Sequence, residues 1–315
     1  YLGLEFHFEM GYPPEPQYYN TIKQSVWTGV TSPIEKNPDD FDLIYPQFPT
    51  HWFLEPAERY AKKIAIVLLE PRQVPRFPER IAVWGITNTA LEKEYPNAHR
   101  LRFGVDTDLF RPFPQIRRDD ALHIGFVGNI QTPRRYIREL FLQLADIPGV
   151  KLDIYPTVWS KHTRKDEIEA MGGQILLDNI VGGDMWLSGL PNIYNRMDVY
   201  IRCDIDHGYQ LSVMEAASCG VPVIATDSGV TKELCDAGGG ICIDCGDRSW
   251  TSDNLGRIAN DIHTAVLALR DNVPLRVSMG KKGRTFIEQY YTWDRWIPAW
   301  RNFFREGLRH AGYQM

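Results

Sequence analysis

The sequence lacks an apolar run long enough to cross a membrane and lacks an excess of basic charge. Its strongest apolar run is Ile64–Leu69, far shorter than the roughly 20 residues of a membrane-spanning helix. Its 40 Asp and Glu residues outnumber its 35 Lys and Arg residues, for a formal net charge of −5. This balance argues against a protein that binds nucleic acid through bulk basicity. We therefore expect no nucleic acid among its partners.

Cysteine is scarce and confined to the second half of the chain. The five cysteines are Cys203, Cys219, Cys235, Cys242 and Cys245. An odd number in one half does not resemble a disulfide framework, and it predicts a reducing, cytoplasmic compartment. Cys242 and Cys245 have the spacing of a metal or redox pair, but the second pair of a structural zinc site is missing. We interpret the cysteines as buried small side chains and predict no metal.

The sequence has the size and composition of an ordinary globular protein with more than one core. It contains 315 residues, of which 43% are apolar and 24% charged, and a single core rarely extends over such a length. Short apolar runs alternate with helical patterns, and most of these runs are continuous, as in parallel strands covered on both faces. The pattern predicts a doubly wound α/β class.

The predicted elements follow from these runs. The predicted strands are Leu2–Phe6, Leu43–Tyr45, Ile64–Leu69, Ile81–Val83, Ile124–Val127, Lys151–Tyr155, Gln174–Leu177, Val199–Arg202 and Val221–Ala225. The predicted helices are Arg135–Ala145, Leu187–Arg196, Leu211–Cys219, Leu255–Ala268 and Pro298–Leu308. A passage with two prolines and a charge cluster, residues 111–120, indicates a domain boundary.

The most informative stretch is residues 203–229. A predicted strand ends at Arg202, and a predicted helix starts near Leu211 and stops at Gly220. Backbone N–H groups at such a helix start, above the carboxyl ends of parallel strands, form an anion site. Glu215 lies about one turn into this helix among apolar neighbours. We interpret it as an acceptor of hydrogen bonds from two adjacent ribose hydroxyls.

This stretch resembles the donor-binding signature of retaining GT-B glycosyltransferases of the family 4 type, the group 1 glycosyl transferases. That signature has a Glu, a Gly-aromatic-Gly-Leu loop and a second Glu eight residues after the first, followed by Gly-x-Pro-Val-Ile-Ala. Glu215 matches the second Glu, which in the family binds the nucleotide's ribose. The loop whose backbone contacts the sugar and the diphosphate is matched by Gly208, Tyr209, Gln210 and Leu211.

Residues 124–135 resemble the strand and loop that open the family's donor domain. Gly128 matches the pattern, Asn129 replaces an Arg, and Arg134 falls where the family has its phosphate-binding Lys. A departing nucleoside diphosphate carries added negative charge that a cation must stabilise. Because Asn129 is neutral, the resemblance assigns this task to Arg134 or Arg135, and arginine suits phosphate geometry.

Two further positions are candidate catalytic residues. His207 stands where the family has its first Glu, which contacts the donor sugar. A neutral imidazole can donate or accept one hydrogen bond but supplies no fixed negative charge, so the donor sugar and the activity itself are left open. Glu70 follows the strand Ile64–Leu69, where family members often place a His. It is a candidate acceptor contact or base.

The resemblance implies a GT-B architecture with two Rossmann-like doubly wound domains. Residues 1–115 would form the acceptor domain, residues 116–293 the donor domain, and residues 294–315 a C-terminal helix packing back on the first domain. The implied reaction moves a sugar from a nucleoside-diphosphate sugar to a carbohydrate or glycoconjugate acceptor, with retention and without a metal or other cofactor. Peripheral contact with the cytoplasmic face of a membrane is compatible with this family.

Two other functions remain open at this point. Asp204 and Asp206 could form the cation site of a metal-dependent transferase, although one pair supplies few of a hard cation's ligands. A non-catalytic sugar-nucleotide-binding or scaffolding protein would explain His207 and Asn129 in place of charged family residues. A Rossmann dehydrogenase is disfavoured because no Gly-x-Gly-x-x-Gly follows a predicted strand.

Overall fold

Parallel strands form the framework of each of the two units into which the chain divides. The computed structural model describes residues 8–9, 30–31, 43, 64–68, 81–87, 91–114, 119–128, 143–144, 147–156, 174–175, 189–204, 209–227, 229–246 and 251–313. Residues 1–104 and 293–315 make up the first unit, and residues 105–292 make up the second. Within the described residues, no helix is both long enough and apolar enough to cross a membrane.

The first unit contains a three-stranded parallel sheet covered by the last helix of the chain. Its strands, in spatial order, are β3 (Ile64–Leu68), β4 (Ile81–Ile86) and β5 (His99–Arg100). A separate parallel pair is formed by β1 (Phe8–Glu9) and β2 (Val30–Thr31). The last helix, α6 (Trp293–His310), packs on all three strands of the sheet.

Aromatic side chains hold α6 on this sheet. Trp300, Phe303 and Phe304 recur on one face of the helix and are buried in a core with Val83 and Leu101. The indole N–H of Trp300 also donates a hydrogen bond to the carbonyl oxygen of residue 102, at 2.7 Å. The helix therefore belongs to the first unit by its core as well as by its polar contacts.

The second unit is a six-stranded parallel sheet with a reversal at its centre. Its strands are β6 (Leu122–Gly128), β7 (Val150–Pro156), β8 (Gln174–Ile175), β9 (Val199–Arg202), β10 (Val223–Thr226) and β11 (Gly240–Ile243). Their spatial order is β11-β10-β9-β6-β7-β8. The chain runs outward from β6 through β8, returns to pair β9 with β6, and then runs outward on the other side. Such a switch point is where open α/β sheets bind ligands.

Five helices of the second unit lie with both of their ends inside the described residues. They are α1 (Leu190–Tyr194), α2 (Leu211–Ser218), α3 (Thr231–Asp236), α4 (Ser252–Arg270) and α5 (Val273–Tyr290). The longest, α4, begins where the Thr251 side chain accepts a hydrogen bond from the N–H of Asn254. Its residues Ile258, Ile262 and Val266 recur every four positions and are fully buried in the core of the sheet.

The predicted doubly wound α/β class is confirmed, whereas the list of elements was incomplete. The runs predicted at residues 124–127, 151–155 and 199–202 coincide with β6, β7 and β9. The strand β11 and the helices α3 and α5 were not predicted. The predicted strand Leu2–Phe6 lies outside the described residues, as does most of the predicted helix Arg135–Ala145.

The chain divides after Gly104, eleven residues before the predicted boundary at 115. Val105 is already bound to the second unit, since its N–H donates to the carbonyl oxygen of Tyr291 at 2.7 Å. It also forms a parallel β-bridge with Thr292. The proline-rich passage therefore follows the change of unit, because backbone hydrogen bonds attach the preceding residues to the second unit.

Candidate functional site

The candidate site lies in the second unit, at the carboxyl ends of the two strands on either side of the switch point. β6 ends at Gly128, whose φ of 145° is a backbone conformation that other residues rarely adopt. β9 ends at Arg202, whose Nη1 donates a hydrogen bond to the carbonyl oxygen of Val127 at 3.1 Å. This bond links the ends of the two strands. Gly128 therefore lies at the same edge of the sheet as the end of β9, after which the chain continues to α2.

Glu215 lies in the middle of α2 and is half-buried. Its Oε2 accepts a hydrogen bond from the hydroxyl of Tyr194 at 2.7 Å. Burial raises the pKa of its carboxyl group to about 7, although the Tyr194 hydrogen bond and the positive charge of Arg202 act in the opposite direction. The carboxyl group therefore changes its charge near neutral pH.

Tyr194, the last residue of α1, supports Glu215 from a buried position. Its ring packs edge-on against the ring of Tyr200, with centroids 5.7 Å apart, and against Phe110 at 6.1 Å. Burial and the neighbouring carboxylate raise the pKa of the Tyr194 phenol well above its usual range. The phenol is thus a permanent hydrogen-bond donor to Glu215. Sequence reasoning missed it because Tyr194 precedes Glu215 by 21 residues.

A buried ion pair between Arg202 and Asp204 precedes the predicted donor loop in the chain. The Nε of Arg202 donates to the Asp204 carboxylate, and the guanidinium lies 5.7 Å from the ring centroid of Phe126. The carbonyl oxygen of Asp204 accepts a hydrogen bond from the Thr226 hydroxyl at 2.5 Å. Asp204 raises the pKa of Arg202 despite its burial. An arginine at the end of an apolar strand was a signal for this pair, since a charge rarely lies there without a partner.

The described part of the predicted donor loop is held by its side chains. Tyr209 and Gln210 are buried, whereas Leu211 is exposed by 41%. The hydroxyl of Thr231, the first residue of α3, donates to Oε1 of Gln210 at 2.7 Å. Gln210 also precedes the first turn of α2, where the first N–H groups have no acceptor within the helix. The N–H groups of this first turn are the groups with which a helix start binds an anion.

Several predicted site residues lie outside the part of the chain that the structure describes. They are Glu70, Asn129, Arg134, Arg135, His207 and Gly208. Their roles stay predictions. Gly128 ends β6, and α2, which contains Glu215, follows the end of the neighbouring strand β9. Both strands end at the same edge of the sheet because they are parallel.

The alternative cation site at Asp204 and Asp206 is not supported at Asp204. The carboxylate of Asp204 is fully buried and bound to Arg202, whose charge would oppose a cation at the same oxygen atoms. Asp206 lies outside the described residues. Among the residues that the structure does describe, no three His, Cys, Asp or Glu side chains are grouped as ligands for a metal ion.

Comparison with known proteins connects this site to one family. The family model "Glycosyl transferases group 1" matches residues 121–261, which include β6, β9 and α2. Over 222 residues the chain is 25% identical to a D-inositol 3-phosphate glycosyltransferase of Paenarthrobacter aurescens, a match that covers 65% of the chain and 50% of that relative. The chain therefore spans about half the length of the curated relatives it matches.

Two solved structures share the fold at low sequence identity. A glycosyltransferase from Rickettsia africae superposes with a TM-score of 0.65 and 13% identity, over 89% of this chain and 85% of its own. Anabaena HepE, solved in complex with UDP and glucose, superposes with a TM-score of 0.62 and 16% identity, over 86% of this chain and 78% of its own. With the switch-point site in residues 121–261, these matches show that the chain has the GT-B fold and that its second unit is similar to the group 1 glycosyl transferases.

Proposed function

We propose that the chain transfers a sugar from a nucleoside-diphosphate sugar to an acceptor hydroxyl, with retention of the anomeric configuration. The observation that carries this proposal is the position of Glu215. Its half-buried carboxyl group lies in α2, the helix that follows the carboxyl end of β9 at the switch point of the sheet. An acceptor of hydrogen bonds beside an anion site suits a ribose attached to a diphosphate.

In this proposal Glu215 binds the ribose. Its Oε2 already accepts the hydrogen bond of Tyr194, and a carboxylate oxygen has lone pairs for more than one donor. The fixed phenol orients the carboxylate before the ligand arrives, so the ribose hydroxyls meet a preorganised acceptor. UDP is the first nucleotide to test, since UDP and glucose are the molecules in the HepE complex.

The diphosphate would lie at the start of α2, against the backbone of Gly208, Tyr209, Gln210 and Leu211. Arg134 or Arg135 would stabilise the charge that develops as the bond between the anomeric carbon and the diphosphate oxygen breaks. Gly128 leaves space for the ligand at the end of β6, and Asn129 contributes a neutral polar group.

The sugar and the acceptor are assigned to residues on either side of the breaking bond. His207 would hold the hydroxyl groups of the donor sugar. The acceptor oxygen would attack from the face on which the diphosphate leaves, and the electron pair of the broken bond would depart with the diphosphate. Glu70 is the candidate that contacts the acceptor or takes up its proton. No metal is required, because the helix N-terminus and an arginine supply the stabilising positive charge.

Calorimetry with UDP, GDP and ADP tests donor binding directly. Glu215→Ala should weaken the preferred nucleotide by roughly 1.5–3 kcal/mol, as expected for hydrogen bonds to a charged group. A matched control is Glu288→Ala, which removes an exposed helical carboxylate of the same unit and should leave the affinity unchanged. Equal affinity of wild type and folded Glu215→Ala would refute the ribose assignment.

A non-catalytic nucleotide-sugar-binding protein is the second candidate, favoured by His207 and Asn129 at positions where the family has charged residues. Both candidates bind the nucleotide, so turnover separates them. A transferase releases nucleoside diphosphate in the presence of donor and acceptor, and under this proposal it does so in excess chelator. A scaffold releases none with any donor and acceptor.

A further inference from the structure

Two cysteine side chains meet away from the proposed nucleotide site, between α3 and the strand β11. Cys235 lies in the last turn of α3 and Cys242 in β11, the outermost described strand at its side of the sheet. The thiol of Cys235 is hydrogen-bonded to the sulfur of Cys242. Both residues are half-buried free cysteines, so small solutes in the solvent reach them.

The backbone of β11 independently places the two sulfur atoms on one face. Gly240 and Cys242 are two positions apart in a strand, so they project from the same face of the sheet. A Cβ atom at Gly240 would stand 3.2 Å from the sulfur of Cys235. The missing side chain of Gly240 therefore leaves the space that the Cys235 thiol occupies beside Cys242.

The charges around the pair favour a thiolate at Cys242. The hydrogen bond from Cys235 lowers the pKa of Cys242, and the ammonium of Lys232 acts in the same direction. Burial and the carboxylates of Asp227 and Asp236 act against this, but the pKa of Cys242 remains below its ordinary value. The same hydrogen bond raises the pKa of Cys235, which keeps its proton. One sulfur is thus a nucleophile with a protonated thiol next to it.

We propose that Cys235 and Cys242 are a site of reversible oxidation that closes to a disulfide when a peroxide is present. The Cys242 thiolate attacks an oxygen of hydrogen peroxide, the O–O bond breaks, and Cys242 becomes a sulfenic acid while hydroxide leaves. The hydroxide takes up the proton that Cys242 had released to solvent and becomes the first water. Cys235 then attacks the oxidised sulfur, gives up its proton, and the second water leaves. Two thiols and one hydrogen peroxide yield one disulfide and two waters.

The spacing of Cys242 and Cys245 makes Cys245 the alternative partner, but this residue lies beyond the end of β11. Cys245 is fully buried in the core of the second unit. Its backbone N–H donates to the carboxylate of Asp227 at 3.2 Å. Cys235, which is seven positions before Cys242, is the partner that touches it.

Peptide mapping of the full chain tests this site. Reduced protein is treated with hydrogen peroxide, alkylated with iodoacetamide and digested with trypsin without reductant. The peptide 233–248, which follows Lys232 and ends at Arg248, then contains Cys235, Cys242 and Cys245. When alkylation is carried out in denaturant, this peptide should lose two hydrogen atoms, about 2 Da, and carry one alkyl label, and it should carry three labels when dithiothreitol is added before iodoacetamide.

Two variants identify the partner. Cys245→Ser should keep the loss of two hydrogens, and Cys235→Ser should abolish it. A bridge that persists in Cys235→Ser, or a wild-type peptide that retains three alkylated thiols after peroxide, would overturn the proposal. Fragmentation of the wild-type peptide gives the same answer without a variant. Backbone cleavage between residues 236 and 241 separates no fragments when Cys235 is bridged, and cleavage between residues 243 and 244 releases the fragment with Cys245 only when Cys245 is not bridged.

Discussion

Burial raises the pKa of the Glu215 carboxyl group, and its hydrogen bond with Tyr194 lowers it. The balance leaves its pKa at about 7, and the ionised form is the stronger acceptor of hydrogen bonds because both of its oxygens carry negative charge. A carboxyl pKa raised in this way means that the ionised, binding-competent form accumulates as the pH rises through 7. The affinity for a ribose ligand should therefore increase with pH over this interval, and decrease below it.

Uridine is the suitable probe because it has no phosphate group to titrate. Its affinity should increase by up to about tenfold between pH 6 and pH 8, since one pH unit below the pKa only about a tenth of the group is ionised. Tyr194→Phe removes a hydrogen bond that lowers this pKa, so it should move the step to higher pH. Glu215→Gln should show no step. Titration calorimetry at several pH values measures all three proteins, and a flat wild-type profile would contradict the ribose role.

His207 allows a prediction that separates the sugar from the nucleotide. If it contacts the donor sugar, His207→Ala should raise the free-energy barrier to transfer by about 1 kcal/mol, the contribution of one neutral hydrogen bond. The affinity for the free nucleoside diphosphate should stay nearly unchanged. Steady-state transfer rates and calorimetry on the same variant make this comparison. Transfer by His207→Ala at the wild-type rate for every donor would show that this residue is only a spacer.

At the scale of elements, α5 depends on glycine for its contact with the turn after α2. A Cβ atom at Gly280 would overlap with the carbonyl oxygen of Gly220, which is backbone and cannot rotate away. Gly280→Ala should therefore destabilise the protein by about 1–3 kcal/mol, as overpacking does. Gly256, on α4, has no atom within 4 Å of such a Cβ. Gly256→Ala should stabilise by about 0.5–1 kcal/mol.

Chemical denaturation of the two variants provides the measurement. Both replace a helical glycine with alanine, so the gain in helix propensity is common to both, and the difference between them isolates the packing contact. Equal unfolding free energies of Gly280→Ala and Gly256→Ala would show that α5 does not need this close approach.

The same contact explains why α5 could not be predicted from the sequence. Pro274, Gly280 and Gly283 interrupt the helical pattern, and glycine normally weakens a helix. The tertiary contact at Gly220 reverses that preference. By contrast, α2 and β9 were predictable because a continuous apolar strand, a loop glycine and a terminal glycine lie next to one another in the sequence.

The candidate site was predictable only where its residues are close in sequence. The loop before α2 and Glu215 were found from one continuous stretch. The hydrogen bond from Tyr194 to Glu215 and the one from Thr231 to Gln210 could not be predicted, because each joins residues 21 positions apart. Arg202 adjoins this stretch and Asp204 lies within it, but the sequence shows them as two unrelated charges until the strand ends of β6 and β9 are known to meet.

On the scale of the whole molecule, the chain changes unit at two positions, after Gly104 and before Trp293. Both residues belong to the first unit, and they are in close contact. A Cβ atom at Gly104 would lie 2.5 Å from the Cα atom of Trp293, where no side chain can rotate to make room. Gly104→Ala should therefore displace the start of α6 and destabilise the first unit by about 1–3 kcal/mol.

Hydrogen exchange followed by mass spectrometry shows how far this destabilisation extends. Each unit has its own sheet and its own buried core, and such units commonly open separately. In Gly104→Ala, exchange should accelerate in α6 and β4 and stay at the wild-type rate in β6, β9 and α2. Gly256→Ala, in the second unit, should leave exchange in α6 unchanged. Equal acceleration in both units would mean that they unfold as one, and the stability of the candidate site would then depend on the helix α6.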